Sequence, residues 1–309
     1  MNSISSGQSS ADPGRLYASA LSSLEEIKER IVTNRSFEMR SAIDVIEKMI
    51  ESHERIQSLY PLTTKETNEE DHRISHQVNV AIYALKLGFG LGYSREKLLE
   101  LGICSLLHDA GMFRIPDKLT FKRGPLTGYE RDVIKTHPEI GRDILKTFSE
   151  NYPSLPAVAF EHHEREGGQG YPRGRQGKNV HEFSRIVAFV DSYEAMTHHR
   201  PHREALMESF SAKELIGQKN ALFAPFVIKS FFKEISLYPP GSYVILNNKA
   251  LAEVVANDQN HPLRPDVKIL FNGEGNKVFD EVIIKLSHNP LFFIVDGLAR
   301  KEISQKSPW

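Results

Sequence analysis

The feature that most constrains the fold is the occurrence of histidines and carboxylates inside, or directly after, apolar helical runs. Asp191 is the clearest example, because it continues the apolar run 186–190. A buried carboxylate is costly unless it is paired or bound to a metal ion. The doublets His108-Asp109 and His162-His163 each end another apolar run. We therefore expect a fold in which the ends of several helices converge on one polar centre.

The candidate metal ligands comprise five imidazoles and two carboxylates. They are His76, His108, Asp109, His137, His162, His163 and Asp191. Ten of the thirteen histidines fall between His72 and His202, so they are concentrated in one part of the chain. Imidazole and carboxylate ligands suit transition metals, and two such ions can activate a water between them. The alternative is that each histidine is a hydrogen-bonded core residue, which is the usual role of a lone histidine on an apolar face.

Composition excludes several classes of protein. The net charge is −1 and the pI about 6.9, so bulk charge attracts neither nucleic acid nor an acidic membrane. The single cysteine, Cys104, rules out a disulfide within the chain, which fits a reducing compartment. The N-terminus has no signal-peptide pattern, and no uninterrupted apolar stretch is long enough to cross a membrane. These features predict a cytoplasmic protein with no nucleic-acid or membrane partner.

Hydrophobic periodicity predicts a mainly α fold in four parts. Residues 1–14 are predicted to be a disordered tail, and residues 15–60 an N-terminal helical region of two amphipathic helices. Residues 61–236 form a helical bundle, and residues 237–309 a small β-rich C-terminal appendage. The N-terminal helices are interpreted as a hairpin that covers the core. The alternative is a dimerising coiled coil, which would make the protein a homodimer.

The pattern also predicts individual element boundaries. A capping box, Thr127 to Glu130, opens a helix that runs on to Ile144, with a kink at Pro138 just after His137. One helical segment is predicted from Ala212 to about Ser236. Strands are predicted at residues 242–246, 250–256, 267–271 and 278–286.

From about Tyr60 to Tyr238 the chain resembles the HD-GYP branch of the HD-domain phosphohydrolases, bacterial phosphodiesterases of cyclic di-GMP. The resemblance rests on a series of short motifs. They are His108-Asp109-Ala110-Gly111, Ile115-Pro116-Asp117, Lys122 with Gly124, Leu126-Thr127 and Glu130, His137-Pro138 and Gly141, His162-His163-Glu164, Gly170-Tyr171-Pro172, Asp191-Ser192-Tyr193 and Arg200-Pro201-His202-Arg203. The family is expected to have a helical HD-domain bundle, and the β appendage is similar to an extension common in it.

The resemblance implies a dinuclear metal site with Asp109 as the bridging ligand. His76, His108 and Asp191 match the other ligands of one ion, and His137, His162 and His163 those of the second. Fe or Mn is the expected metal. The ions would lower the pKa of a bridging water, and the resulting hydroxide would attack phosphorus. Asp109 and His108 are thus the predicted catalytic residues, and cyclic di-GMP would be hydrolysed to linear pGpG and on to GMP.

The resemblance also implies substrate contacts. Tyr171, with Gly170 and Pro172, would shape the substrate pocket or a docking surface for diguanylate cyclase domains. Arg200 and Arg114 are candidates for binding a phosphate. His72 lies four residues before His76, so both imidazoles would project from one helix face and His72 could hold a third ion. The opposing interpretation is a solvated histidine in the polar run 69–73.

The chain departs from the family pattern on the substrate side. Met112 stands where the family usually has a lysine that contacts the substrate phosphate, and Gly167, Glu194 and His202 replace other usual residues. Two alternatives therefore stand beside the phosphodiesterase hypothesis. One is a weakly active or inactive module that binds cyclic di-GMP or a partner protein. The other is a hydrolase of another cyclic dinucleotide.

Overall fold

A computed structural model describes residues 12–63, 72–198, 211–212, 214–215, 222–235, 237–238, 240–258, 261 and 263–298. The predicted fold class is confirmed: a helical bundle is followed by a small antiparallel sheet. The helices that build the bundle are α1 (Pro13–Val32), α2 (Arg40–Met49), α3 (His53–Thr63), α4 (His72–Gly90), α5 (Arg95–Leu107), α6 (Asp117–Thr120), α7 (Gly128–Ile134), α8 (His137–Leu145), α9 (Leu155–Glu161), α10 (Glu182–Thr197) and α11 (Pro225–Glu234). Short 3-10 helices are η1 (Ala110–Arg114), η2 (Lys146–Phe148), η3 (Gly177–Asn179) and η4 (Leu286–His288).

Helix α4 lies at the centre of the bundle. All of its residues from Arg73 to Gly88 are buried, and they include polar side chains such as Gln77 and Asn79. Burial on every side requires neighbouring elements on every side. Accordingly, α4 packs against α1, α3, α5, α10 and α11. Any polar side chain on α4, such as His76, is therefore held in a dry environment where it needs a partner.

The N-terminal region contains one helix more than predicted. Helix α1 begins at Pro13, where the Asp12 side chain accepts a hydrogen bond from Gly14 N, so the helix includes the end of the predicted tail. Residues 1–11 of that tail lie outside the described residues. The additional helix is α3, whose apolar stripe is short and ends near Pro61, and hydrophobic periodicity is weakest in such a segment.

Two predicted helices are divided in the structure. The capping box at Thr127 and Glu130 is present, as predicted, but α7 ends at Ile134 and α8 begins at His137. The predicted kink after His137 is wrong, because Pro138 lies in the first turn of α8, where its missing N–H costs no hydrogen bond. The predicted segment from Ala212 to about Ser236 is also wrong as one helix, since residues 222–224 are not helical.

The C-terminal sheet has the strand order β4-β3-β2-β1-β5, with every pair antiparallel. The strands are β1 (Tyr243–Leu246), β2 (Leu251–Ala256), β3 (Asp266–Phe271), β4 (Ile283–Lys285) and β5 (Ile294–Leu298). Alternate residues of β1 and β2, including Val244 and Val254, are buried. The prediction missed β5, and it extended β4 too far towards its N-terminal side.

In the part of the chain that the structure describes, no helix combines the length and the hydrophobicity needed to cross a bilayer.

Gly111 sets the distance between η1 and α8. A Cβ atom placed on Gly111 would lie 2.0 Å from the His137 carbonyl oxygen and 2.6 Å from Gly141 N. Both of these are backbone atoms, which cannot rotate away as a side chain would. Glycine at this position therefore allows η1, which directly follows Asp109, to approach the start of α8.

Gly111→Ala is expected to lower the free energy of unfolding by about 3 kcal/mol, the upper part of the usual range for overpacking. The matched control is Gly128→Ala, because a Cβ on Gly128 meets no atom within 4 Å. Urea unfolding of both variants tests this. Equal stability of the two variants would show that η1 and α8 can separate at no cost.

Candidate metal centre

Six structural elements bring the seven predicted ligands to one place. His76 lies on α4, and Asp191 lies on α10. The other ligands sit at helix ends: His108 and His162 directly follow α5 and α9, Asp109 precedes η1, and His137 opens α8. His163 follows His162 directly. Adjacent residues within a helix point about 100° apart, so two neighbours can address one region mainly where the helix ends, as at His108-Asp109 and His162-His163.

Four side chains form what we call the first cluster: Asp109, His137, His162 and His163. One potential ligand atom from each lies within 4.8 Å of all the others. His137 Nε2 is 3.2 Å from His162 Nε2 and 3.1 Å from His163 Nε2. Asp109 Oδ1 lies 3.2 Å from His137 Nε2 and 3.3 Å from His162 Nε2. This is a compact set of three imidazoles and one carboxylate.

The second cluster consists of His76, His108 and Asp109, whose potential ligand atoms also lie within 4.8 Å of one another. His108 Nε2 is 3.8 Å from Asp109 Oδ2. Asp191 extends this cluster, because its Oδ1 lies 3.1 Å from His76 Nε2. Asp109 belongs to both clusters, with Oδ1 facing the first and Oδ2 facing His108.

Backbone carbonyls fix the tautomers of three of the imidazoles. Nδ1 of His108 lies 2.8 Å from Ser105 O, Nδ1 of His137 lies 2.7 Å from Ile134 O, and Nδ1 of His162 lies 2.9 Å from Ala159 O. A carbonyl can only accept, so each Nδ1 carries the proton and donates it. The Nε2 lone pairs then face the clusters, which is the arrangement that metal-binding histidines use.

Two buried atoms show that these clusters fit a cation. His108 Nε2 and Asp109 Oδ1 are fully buried, and neither has a hydrogen-bond partner among the described residues. Asp109 Oδ1 approaches two imidazoles closely, but these contacts lack hydrogen-bond geometry. Buried polar atoms without partners are rare because each one costs free energy. A metal ion would satisfy both of them and would separate the facing lone pairs of the imidazoles.

The pKa shifts favour the protonation states of metal ligands. Burial alone would raise the pKa of Asp109, but the neighbouring His108 and His137 outweigh it and hold that pKa well below the usual range. Burial lowers the pKa of His108 to about 4 and also lowers that of His163. His137 differs, because the Asp109 carboxylate outweighs burial and raises its pKa. Protons therefore compete with metal ions mainly at His137.

Glu194 is a residue of this region to which the sequence analysis gave no role. It lies three residues after Asp191 on α10, and its buried Oε2 contacts His76 Nδ1. His76 is thus held between two carboxylates, with Asp191 at Nε2. A second buried acid one turn along an apolar helix was the sequence feature that could have revealed it.

The loop after the first cluster covers His163. Tyr171 stacks on the His163 ring, with centroids 4.6 Å apart and planes 23° apart. Gly170 permits this approach, since a Cβ there would lie 2.3 Å from His163 O. Glu164 orders the rest of the loop, because its carboxylate accepts hydrogen bonds from Arg173 N at 2.8 Å and Arg175 N at 3.0 Å.

Two other predicted residues, Arg114 and His72, belong to neither cluster. The Arg114 guanidinium donates to Asn34 Oδ1 at 2.7 Å. The His72 ring meets Phe121 edge-on and is in neither cluster. Arg200 lies outside the described residues. The roles of these three residues stay predictions. A cation that sequence reasoning missed is Lys135, whose Nζ lies 5.4 Å from the Tyr171 ring centre.

These observations define a helical protein with a candidate dinuclear metal centre, and comparison with known proteins gives the family. The profile of the HD domain matches residues 55–225, more than half of the chain. A second profile, described as a KOW domain associated with HD domain, matches residues 243–306. The chain belongs to the HD domain family, and the predicted resemblance is confirmed.

Two curated relatives carry different substrate names. The chain is 28% identical over 229 residues to the cyclic di-GMP phosphodiesterase PA4108 of Pseudomonas aeruginosa, which covers 74% of the chain and 55% of the relative. It is 26% identical to the 3'3'-cGAMP-specific phosphodiesterase 2 of Vibrio cholerae, over 69% of the chain and 41% of the relative. The chain thus spans about half the length, or less, of these relatives.

A solved structure supports the fold. Bd1817, described as a HDG"Y"P protein from Bdellovibrio bacteriovorus, superposes with a TM-score of 0.59 at 17% sequence identity. The match covers 74% of this chain and 73% of Bd1817.

Asp109→Asn is expected to abolish binding at both metal positions, because one carboxylate serves the two clusters. Metal analysis should find less than one ion per chain, with affinity reduced by at least the roughly 100-fold that loss of a supporting partner can cost. Asp143→Asn is the control, since Asp143 is exposed and paired with Arg142 at 2.9 Å. Undiminished metal content in Asp109→Asn would contradict a shared ligand.

Proposed function

We propose that this chain is a metal-dependent phosphodiesterase that hydrolyses cyclic di-GMP to linear pGpG. The observation that carries the proposal is the Asp109 carboxylate, which is shared by two imidazole clusters. A centre of this kind suits a phosphodiester, whose two non-bridging oxygens can be held by two adjacent cations. The names of relatives such as PA4108 support the same substrate.

Two bound divalent ions would lower the pKa of a water molecule and offset the negative charge on the phosphoryl oxygens. Nitrogen and oxygen ligands without a thiolate favour Fe or Mn. Asp109 and His108 hold the middle of the centre, and the buried helix ends around them exclude bulk water. The protein residues therefore hold the metal ions in place and orient the ligand atoms before the substrate binds.

Tyr171 is assigned to the substrate pocket rather than to docking of a diguanylate cyclase domain. Its ring stacks on His163 and so forms a wall of the centre. A guanine base can stack on an aromatic ring, and Lys135 beside Tyr171 supplies a cation for a phosphate. Met112 stands where the family usually has a lysine, so Lys135 is a second candidate for the phosphate contact.

We expect anaerobically purified, metal-loaded protein to convert cyclic di-GMP to pGpG. Chromatography of the reaction products measures this conversion. Asp109→Asn serves as the inactive control. Parallel incubation with 3'3'-cyclic GMP–AMP tests the second alternative, since faster cleavage of that substrate would reassign the specificity. Two bound ions with no hydrolysis of either dinucleotide would instead support a binding module, and binding of labelled cyclic di-GMP would then be measured.

Met112→Lys is expected to raise kcat/KM for cyclic di-GMP at least about tenfold without changing metal content, because a charge-assisted hydrogen bond to phosphate contributes about 1.5–3 kcal/mol. Met112→Leu keeps the apolar character and is the matched control. Steady-state kinetics and metal analysis of both variants test this. An unchanged kcat/KM in Met112→Lys would show that Lys135 or Arg200 already fills the role.

A further inference from the structure

We propose that Tyr17, Asn79 and Glu194 are positioning residues that hold His76 in its metal-binding orientation and thereby couple the N-terminal helix α1 to the metal centre. The inference rests on the proposed function, because it assumes that the centre binds metal ions. It concerns residues outside the predicted ligand set, and it gives the N-terminal region a defined route to the active centre.

The route begins at the imidazole of His76. Its Nδ1 contacts Glu194 Oε2, and its Nε2 faces Asp191 Oδ1 at 3.1 Å. Glu194 is 2% exposed, so its contacts are not exchanged for water. A carboxylate at Nδ1 fixes both the tautomer and the rotation of a metal-binding histidine. The position of the Glu194 side chain therefore determines where His76 Nε2 points.

Asn79 determines where Glu194 lies. Its Nδ2 donates to Glu194 Oε1 at 3.0 Å, and its Oδ1 accepts from the Tyr17 hydroxyl at 2.8 Å. Asn79 is three residues after His76 on α4, so both side chains leave the same face of that helix. His198 Nδ1 also lies 3.2 Å from Glu194 Oε1. With its carbonyl bonded to a hydroxyl, the amide must turn its N–H towards Glu194.

Tyr17 connects this network to α1. The residue is buried, 62 positions before Asn79 in the chain, and its hydroxyl reaches across the interface between α1 and α4. A buried hydroxyl that loses its partner costs free energy. A displacement of α1 would therefore either break the Tyr17–Asn79 bond or carry Asn79 and Glu194 with it.

The other end of α1 lies beside η1. Asn34, just after the helix, accepts the hydrogen bond from Arg114 on η1. Asn34 adopts φ 57°, a conformation that asparagine tolerates better than most residues. Because η1 directly follows Asp109, the N-terminal helix contacts structures that support two ligands of the second cluster. A signal received by α1 would thus act on the affinity of that cluster.

Tyr17→Phe in the full chain tests the proposal with Mn²⁺ as the probe. We expect metal-stripped Tyr17→Phe to bind Mn²⁺ about 3- to 10-fold more weakly at one of two positions in competition with a chelator dye. Glu194→Gln should weaken binding about 10- to 100-fold, the range known for partners of metal ligands. Hydrolysis at limiting Mn²⁺ should fall in both variants and recover at saturating Mn²⁺, which a general packing defect would not do.

Tyr93→Phe is the matched control, because it also removes a tyrosine hydroxyl that donates a hydrogen bond. The acceptor of that bond is Glu182, which belongs to neither cluster. The proposal is overturned if Tyr17→Phe and Tyr93→Phe bind Mn²⁺ equally well. If circular dichroism shows that Tyr17→Phe does not fold, the Mn²⁺ affinity of Glu194→Gln is compared with that of Tyr93→Phe instead. Equal affinities would again overturn the proposal. Failure of the proposed function is distinguishable, since wild-type protein would then bind two ions yet hydrolyse no dinucleotide.

Discussion

The structure depends on the burial of one ionised carboxylate, that of Asp109, among imidazoles. Burial disfavours its charge, and His137, whose own pKa the carboxylate raises, helps to outweigh that effect because its Nε2 lies 3.2 Å away. The elements that supply His108, His137 and His162 must therefore begin or end close to the same point. Gly111 belongs to the same requirement, because any larger residue would separate η1 from α8.

The helix ends solve a second problem, which is the direction of each imidazole. His108, His137 and His162 all bond through Nδ1 to a carbonyl three residues earlier. Each of these carbonyls lies in the last turn of the preceding helix, where a carbonyl has no hydrogen-bond partner within the helix. The same local bond satisfies the backbone and directs Nε2 to the clusters. His76, in the second turn of α4, depends instead on a distant side chain, Glu194.

The departures of this chain from the family pattern have different consequences. The replacement at Glu194 is absorbed inside the bundle, where the longer side chain reaches His76 and Asn79 together. Met112 replaces a lysine that the family pattern assigns to the substrate phosphate, and Lys135 beside Tyr171 is another cation of this region. All seven predicted metal donors are therefore present, whereas one predicted substrate contact is replaced. Activity measurements and metal measurements address these two parts separately.

The sequence by itself determined the helical class, the capping box at Thr127 and the seven side chains that converge. The seven could be identified because a polar side chain in an apolar helical run needs a partner or a metal ion. Sequence reasoning misplaced the break near Pro138 and missed α3 and β5, since short elements depend on their neighbours. Only the tertiary structure decided the Tyr17–Asn79 and Glu194–His76 pairs, whose members lie 62 and 118 residues apart. Local periodicity carries no information about such contacts, which arise from the packing of α1, α4 and α10.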